Sequence, residues 1–429
     1  MLDTVIIPLI KDKNGDVQDV DNYRPLALTC IVSKLFEFVI LNRYAYLFKT
    51  CDDQFGFKRH MSTDMCILAL KETVNYYKTN NNPVFACFLD ASKAFDKLNH
   101  FHLFKKLILR GLPCIIVRIL LFLYTNQSYC VRWGGHYSQK FSVSNGVPQG
   151  RILSPFFFNI YVDDLSILLN KSGLGCHIKN AILNHLFYAD DAVLLASSPY
   201  VLQKLLNICA AYAKEYELEF NIKKTKCLIF APKFFSKCTF PKFYLNDKEL
   251  SIATRIKYLG CIIRNDCKDS IDVSNVQNND VDCKESSDLS RLIRSIYTKG
   301  NININKYFMC SEDVKVKLFK SYLSSFYGLT VISNFNNESY RKLNVAYKRI
   351  FRALFMFKMF PQGTSMKMVE LGIDPLPVIE RTLLHGFYNR IFNSNNVIVK
   401  SIFDNMFLCQ SPFLTRYYKQ VYFNQSFYN

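Results

Sequence analysis

Hydrophobic residues recur along this chain with two periods, and the places where one gives way to the other mark its elements. Residues 4–10, Thr4 followed by apolar residues to Ile10, are closed by Lys11-Asp12-Lys13-Asn14-Gly15, which predicts a strand and a turn. After Asn22-Tyr23-Arg24-Pro25-Leu26, the positions Leu35, Phe36, Val39, Ile40 and Tyr44 share one helical face, so a helix over 30–48 should bury that face. Gln54 to His60 is a basic, glycine-containing segment, and Ser62-Thr63-Asp64 opens a further helix. Residues 84–90 are an apolar strand delivering Asp90 at its end. A helix follows to about 109, stopped by Gly111-Leu112-Pro113, and Asp96 is placed to cap its start.

Residues 116–125 read as a helix and 128–144 as a hairpin around Gly134-Gly135. A loop punctuated by glycine and proline, Ser144 to Pro155, feeds a helix over 153–169. Inside that helix, Asp163 and Asp164 look like a ligand pair. The helical recurrence of Leu153, Phe157, Ile160, Leu165 and Leu168 puts them instead on a polar face near the helix end. A second acidic pair, Asp190-Asp191, stands between Phe187-Tyr188 and Val193-Leu194-Leu195, which predicts two buried strands joined by a tight turn. Adjacent carboxylates taken out of water are costly unless something cationic meets them, and Mg²⁺ binds through a few carboxylate oxygens plus water and phosphate. Beyond lie a helix over 200–216, a basic turn and strand over 220–230, and a short hairpin over 257–263. Residues 266–290 are acidic and polar and read as a linker, and the remainder is mainly helical with Lys and Arg on the helix faces.

Composition narrows the partners. Against 35 Asp and Glu the 429 residues carry 54 Lys and Arg, a formal charge of +19, which favours a polyanion and nucleic acid first. The 15 cysteines form no C-x-x-C pair and no zinc-finger spacing, as in an intracellular protein of reduced thiols. Met1-Leu2-Asp3-Thr4 lacks the charged start of a signal peptide, and the apolar stretches are too short to span a bilayer. Neither secretion nor a membrane anchor is expected.

Asp90, Asp190 and Asp191 converge if their strands pair, and two divalent ions bridging them would suit phosphoryl transfer. Lys11, Lys13 and Arg24 on the first hairpin would offer fixed positive charge to a triphosphate. Here the chain resembles the reverse transcriptases of non-LTR (LINE-type) retrotransposons, and the motifs run in family order. Asn22 to Pro25 resembles the first fingers motif, and Gln54-Phe55-Gly56-Phe57 with Ser62-Thr63 the second. Phe88 to Asp96 resembles palm motif A, Gly146-Val147-Pro148-Gln149-Gly150 through Pro155 motif B, and Tyr188-Ala189-Asp190-Asp191 motif C. Lys223 to Lys226 fit motif D, and Tyr258-Leu259-Gly260 the primer grip.

The resemblance implies an α+β right-hand polymerase with an antiparallel palm sheet. Residues 1–82 would be partial fingers, 83–265 the palm with interleaved fingers segments, 266–290 a linker, and 291–429 a helical thumb and C-terminal segment. It implies RNA-directed DNA synthesis from a 3′-hydroxyl primer with two Mg²⁺ ions, Mn²⁺ being able to stand in. The partners would be an RNA template, a DNA primer or target and dNTPs. Asp90 and Asp190 would hold metal with Asp191 beside them. Phe95 would bar a ribose 2′-hydroxyl, Gln149 and Gly150 would line the nucleotide and template pocket, and Arg24 and Lys11 would meet the triphosphate. Lys226 would protonate pyrophosphate, with Lys224 fitting nearly as well. Arg151 replaces a smaller or neutral residue and could crowd or reinforce the template. The start close to the first fingers motif implies a truncated copy without endonuclease, acting as a ribonucleoprotein in nucleus and cytoplasm. Two alternatives stay open: a catalytically silent nucleic-acid-binding remnant, and a group II intron-type maturase.

Overall fold

The computed structural model describes residues 3–12, 15–179, 181–232, 239–267, 287–332, 337–357 and 363–422. Six strands make the main sheet. Its middle is the antiparallel run His185–Tyr188, Asp191–Ala196, Val84–Asp90 and Lys226–Phe230, and Lys248–Ala253 joins in parallel beside Lys226–Phe230, followed by Phe243–Leu245. In Val84–Asp90 successive side chains enter opposite layers, as strand geometry requires. Phe85, Cys87 and Leu89 meet the helices His100–Leu109, Cys114–Thr125, Ser154–Lys171 and Pro199–Glu215 on one face. Val84, Ala86 and Phe88 join the core of the other face, with Thr63–Thr79 and the C-terminal helices. The strand is therefore apolar on both sides, which the sequence shows as a run rather than an alternation.

A smaller sheet pairs Asp3–Ile10 antiparallel with Tyr23–Thr29 and parallel with Ser128–Trp133. The hairpin Arg255–Tyr258 and Cys261–Arg264 packs by the main sheet, and Asp288, at the start of the helix Asp288–Tyr307, accepts the Ile262 N–H at 3.1 Å. Most of the expected linker, 268–286, lies outside the described residues, as does Lys13. Asp288–Tyr307, Glu312–Leu323, Asn337–Leu354 and Thr364–Glu370 surround a third core. Leu376–Phe392, Val397–Met406 and Pro412–Val421 instead turn back onto Thr63–Thr79 and the sheet. No helix among the described residues is long and apolar enough to cross a membrane.

Three expectations need correction. The first long helix, Ile31–Arg43, buries Ser33, Glu37 and Ile40 and leaves Leu35 and Val39 exposed. The expected stripe is split: Ile40 is buried and Phe36 and Tyr44 pack on the core, while Leu35 and Val39 face out and the inner face is shared with Glu37, which is held by Arg151 and by the N–H groups of Ile152 and Leu153. Asp163 is not on a solvated face near a helix end. It sits within Ser154–Lys171, is 6% exposed, accepts the Cys51 N–H at 2.8 Å and pairs with Arg110, while Asp164 pairs with Lys106. The cap of His100–Leu109 is Asn99, whose side chain accepts from Phe101 and His102, not Asp96.

Candidate active site

The strand ladder brings the predicted acids together. Asp191 opens its strand directly opposite Asp90, so the two share a face, and Asp190 occupies the turn before it. The strands are buried as expected, but Asp190 and Asp191 themselves are exposed, and Asp90 is half-buried. Apolar walls thus hold the backbone while the acids reach the surface, open to a substrate yet closely enough surrounded by protein for the loss of water to matter. Loop 219–225 supports Asp90 from behind: its N–H donates to Thr225 Oγ1 at 3.3 Å and its carbonyl accepts the Asn221 N–H at 2.8 Å.

Electrostatics show what surrounds the acids. Burial pushes Asp90 above the usual carboxylate range, with Lys224 and then Lys11 pulling against it. Burial and the neighbouring Asp90 raise Asp190, opposed by its own backbone N–H and by Arg24. Asp191 rises to about 6 through burial, Asp190 and Asp90, again opposed by Arg24. Arg24, on Tyr23–Thr29, thus opposes the charge of Asp190 and Asp191, and Lys11, which follows Asp3–Ile10, that of Asp90. Lys226 and Lys224 line, with Asp90, Asp191, Lys257 and Tyr258, a recess of about 250 Å³. Lys224 is the lysine whose field reaches Asp90 most strongly.

Phe95, Gln149 and Gly150 are linked to one another through the 146–150 segment. Val147 N–H donates to the Phe95 carbonyl at 2.7 Å, and the half-exposed Phe95 ring stacks on Phe158 with centroids 5.0 Å apart. The Gln149 carbonyl accepts the Ala27 N–H at 2.7 Å, which docks the loop on the strand bearing Arg24. Gly150 has φ of 113°, and a Cβ there would lie 2.7 Å from the Ala27 carbonyl oxygen, so glycine is required. Arg151 turns the other way. It is 3% exposed, its Nε lies 2.8 Å from Glu37 Oε1, and its guanidinium covers the Tyr124 ring at 4.6 Å, so it serves the core and not the template.

The donor chemistry suits a hard divalent cation: oxygens only, crowded enough to repel one another, and open to solvent. Among the described residues no group of three or more His, Cys, Asp or Glu is gathered closely enough to hold a metal ion by itself.

Paired carboxylates at the tips of a buried sheet, with Arg24, Lys11 and Lys224 opposing their charge, define the class as a palm-type polymerase fold. The chain belongs to the reverse transcriptase (RNA-dependent DNA polymerase) family, whose model matches residues 10–263. Its relatives include the Pol polyprotein of the type-2 retrotransposable element R2DM of Drosophila melanogaster, 29% identical over 272 residues, 60% of this chain and 24% of that one. The probable RNA-directed DNA polymerase from transposon BS of the same fly is 30% identical over 250 residues, 56% of this chain and 27% of that one. The polymerase of the mobile element jockey of Drosophila funebris is 25% identical over 82% of this chain and 37% of its own. The chain therefore spans about a quarter to somewhat over a third of the length of these relatives. Among solved structures, apo telomerase from Candida tropicalis aligns with 99% of this chain and 68% of its own at 12% identity, with a TM-score of 0.43.

Proposed function

We propose that this chain copies RNA into DNA by extending the 3′-hydroxyl of a primer, as in target-primed retrotransposition. The observation that carries the proposal is the register Asp90↔Asp191 at the strand ends, with Arg24, Lys11 and Lys224 opposing the charge of the acids. Asp90, Asp190 and Asp191 would hold two Mg²⁺ ions, with Mn²⁺ as a substitute; these would neutralise charge on the reacting oxygens. Arg24 and Lys11 bind and orient the dNTP triphosphate by charge-assisted contacts. Phe95, braced by Phe158 and the Val147 N–H, presents a wall to the sugar and excludes a 2′-hydroxyl. Gln149 and Gly150 shape the space for the base pair, and Lys226 or Lys224 supplies the proton to departing pyrophosphate. In polymerase terms, residues 1–82 and the segments packed on them act as fingers, 83–265 as palm and 291–429 as thumb and C-terminal segment. The polyanionic partners are an RNA template and a DNA primer, met by the net charge of +19.

The test is primer extension by the purified chain on an RNA template with dNTPs and Mg²⁺, beside Asp190→Asn. Extension that disappears in the variant supports the proposal. Folded protein that binds template-primer yet extends nothing would favour the silent remnant.

A further inference from the structure

The placement of the acidic pair depends on a residue outside it. Ala189, which precedes Asp190, has φ of 56°, a left-handed conformation that residues with a side chain adopt only where their surroundings hold them. Its N–H donates to Gln54 Oε1 at 3.0 Å, and the same oxygen accepts the Gly56 N–H at 2.9 Å. Gln54 is 2% exposed. The backbones are tied alongside: Phe187 N–H donates to the Asp53 carbonyl at 2.9 Å, and Phe55 N–H to the Phe187 carbonyl at 2.7 Å. Residues 53–55 thereby run along the open edge of His185–Tyr188. There is no slack in the contact, since a Cβ on Gly56 would lie 2.5 Å from the Ala189 nitrogen.

The segment is held from its far side by a polar stripe on Ser154–Lys171. Asn159 Nδ2 donates to the Gly56 carbonyl at 2.8 Å, Asp163 accepts from Cys51, and Asn170 donates to the Asp53 carboxylate at 2.7 Å. Those residues recur at helical spacing on one face, so a rigid helix sets where Gln54 stands.

We propose that Gln54 is a positioning residue: by holding the Ala189 and Gly56 N–H groups with one oxygen it fixes the left-handed turn and the direction in which Asp190 and Asp191 present their carboxylates. This rests on the reading of those acids as the reacting centre. Neither the acids nor the substrate is touched by Gln54 in this role; it acts through the backbone of the turn.

The test compares Gln54→Met, which keeps length and removes the acceptor, with Gln54→Glu, which keeps an accepting oxygen. Gly56→Ala pushes on the same turn without removing a hydrogen bond. Two quantities are read: hydrogen exchange at the Ala189 amide, and kcat and KM for single dNTP addition. In Gln54→Met the Ala189 amide should exchange at least about tenfold faster, while amides of Val84–Asp90 keep wild-type protection. The kcat should fall about tenfold or more with KM for dNTP within about twofold, and Gln54→Glu should recover both readings to within about threefold. Wild-type protection at Ala189 in Gln54→Met, or faster exchange spread over the whole fold, would overturn the proposal. If Gln54→Met does not fold, protection kept in Gln54→Glu and lost in Gly56→Ala supports it, and any other pairing overturns it. The exchange arm decides even where the wild-type chain extends no primer, so failure of this proposal and failure of the polymerase reading are distinguishable.

Discussion

At the scale of single residues, the site separates groups that touch chemistry from groups that hold them. Arg151 is the instructive case. Its place after Gln149-Gly150 pointed to the template pocket, yet it forms a buried pair with Glu37 beneath Tyr124. Sequence order cannot tell which side of a loop a side chain leaves. Removing one partner of a buried ion pair leaves the other charge uncompensated, so Arg151→Met should cost about 3–5 kcal/mol by denaturant unfolding. Glu37→Leu combined with Arg151→Met should recover part of that loss. Glu72 offers a pH readout away from the acids. Burial raises it to about 7, against the hydrogen bond donated by Ser411 at 2.7 Å. Its folded pKa lies above its unfolded value of 4.5, so the fold binds a proton and loses stability as pH rises from about 4.5 through about 7. Glu72→Gln should leave melting unchanged near pH 4 and stabilise the protein by about 1–3 kcal/mol at pH 8, a gain visible in thermal melts across that range.

At the scale of elements, strands were easier to read than helix faces. The run 84–90 and the turn at Asp190-Asp191 were legible because a strand buried on both sides is a short apolar run with punctuation at its ends. The face of the helix Ile31–Arg43 was only partly legible: Ile40, Phe36 and Tyr44 turn to the core as expected, but Glu37 is inside with them and Leu35 and Val39 are outside. A hydrophobic stripe predicts a buried face only when no partnered charge competes for the interior. The same holds for Ser154–Lys171, where Asn159, Asp163, Ser166 and Asn170 line a buried polar seam. Their partners, residues 51–56 and His185, are remote in sequence and could not be paired with them from one chain. Because Leu35 and Val39 are exposed, Leu35→Glu with Val39→Lys should change stability by no more than about 0.5 kcal/mol. Ile40→Ala, on the inner face, should cost about 2–4 kcal/mol in the same unfolding measurement.

At the scale of the whole molecule, two layers of helices grip one sheet so that its strand tips stay open, and Arg24 on a second sheet opposes the charge gathered there. The order of motifs along the chain made this architecture legible, since the runs around Asp90 and Asp190-Asp191 are neighbouring strands of one sheet and the 146–150 segment docks on the strand bearing Arg24. The return of Leu376–Phe392, Val397–Met406 and Pro412–Val421 onto the back of the sheet was not legible, because basic amphipathic helices look alike wherever they dock. The central claim is template-directed nucleotide addition by the Asp90–Asp190–Asp191 group. It is tested most directly by single-nucleotide incorporation opposite each of the four RNA template bases, with Mg²⁺, in wild type and in Asp90→Asn. The expected result is addition of the complementary dNTP alone, reduced about a thousandfold or more in the variant. Addition that ignores the template base, or that survives in Asp90→Asn at the wild-type rate, would contradict it.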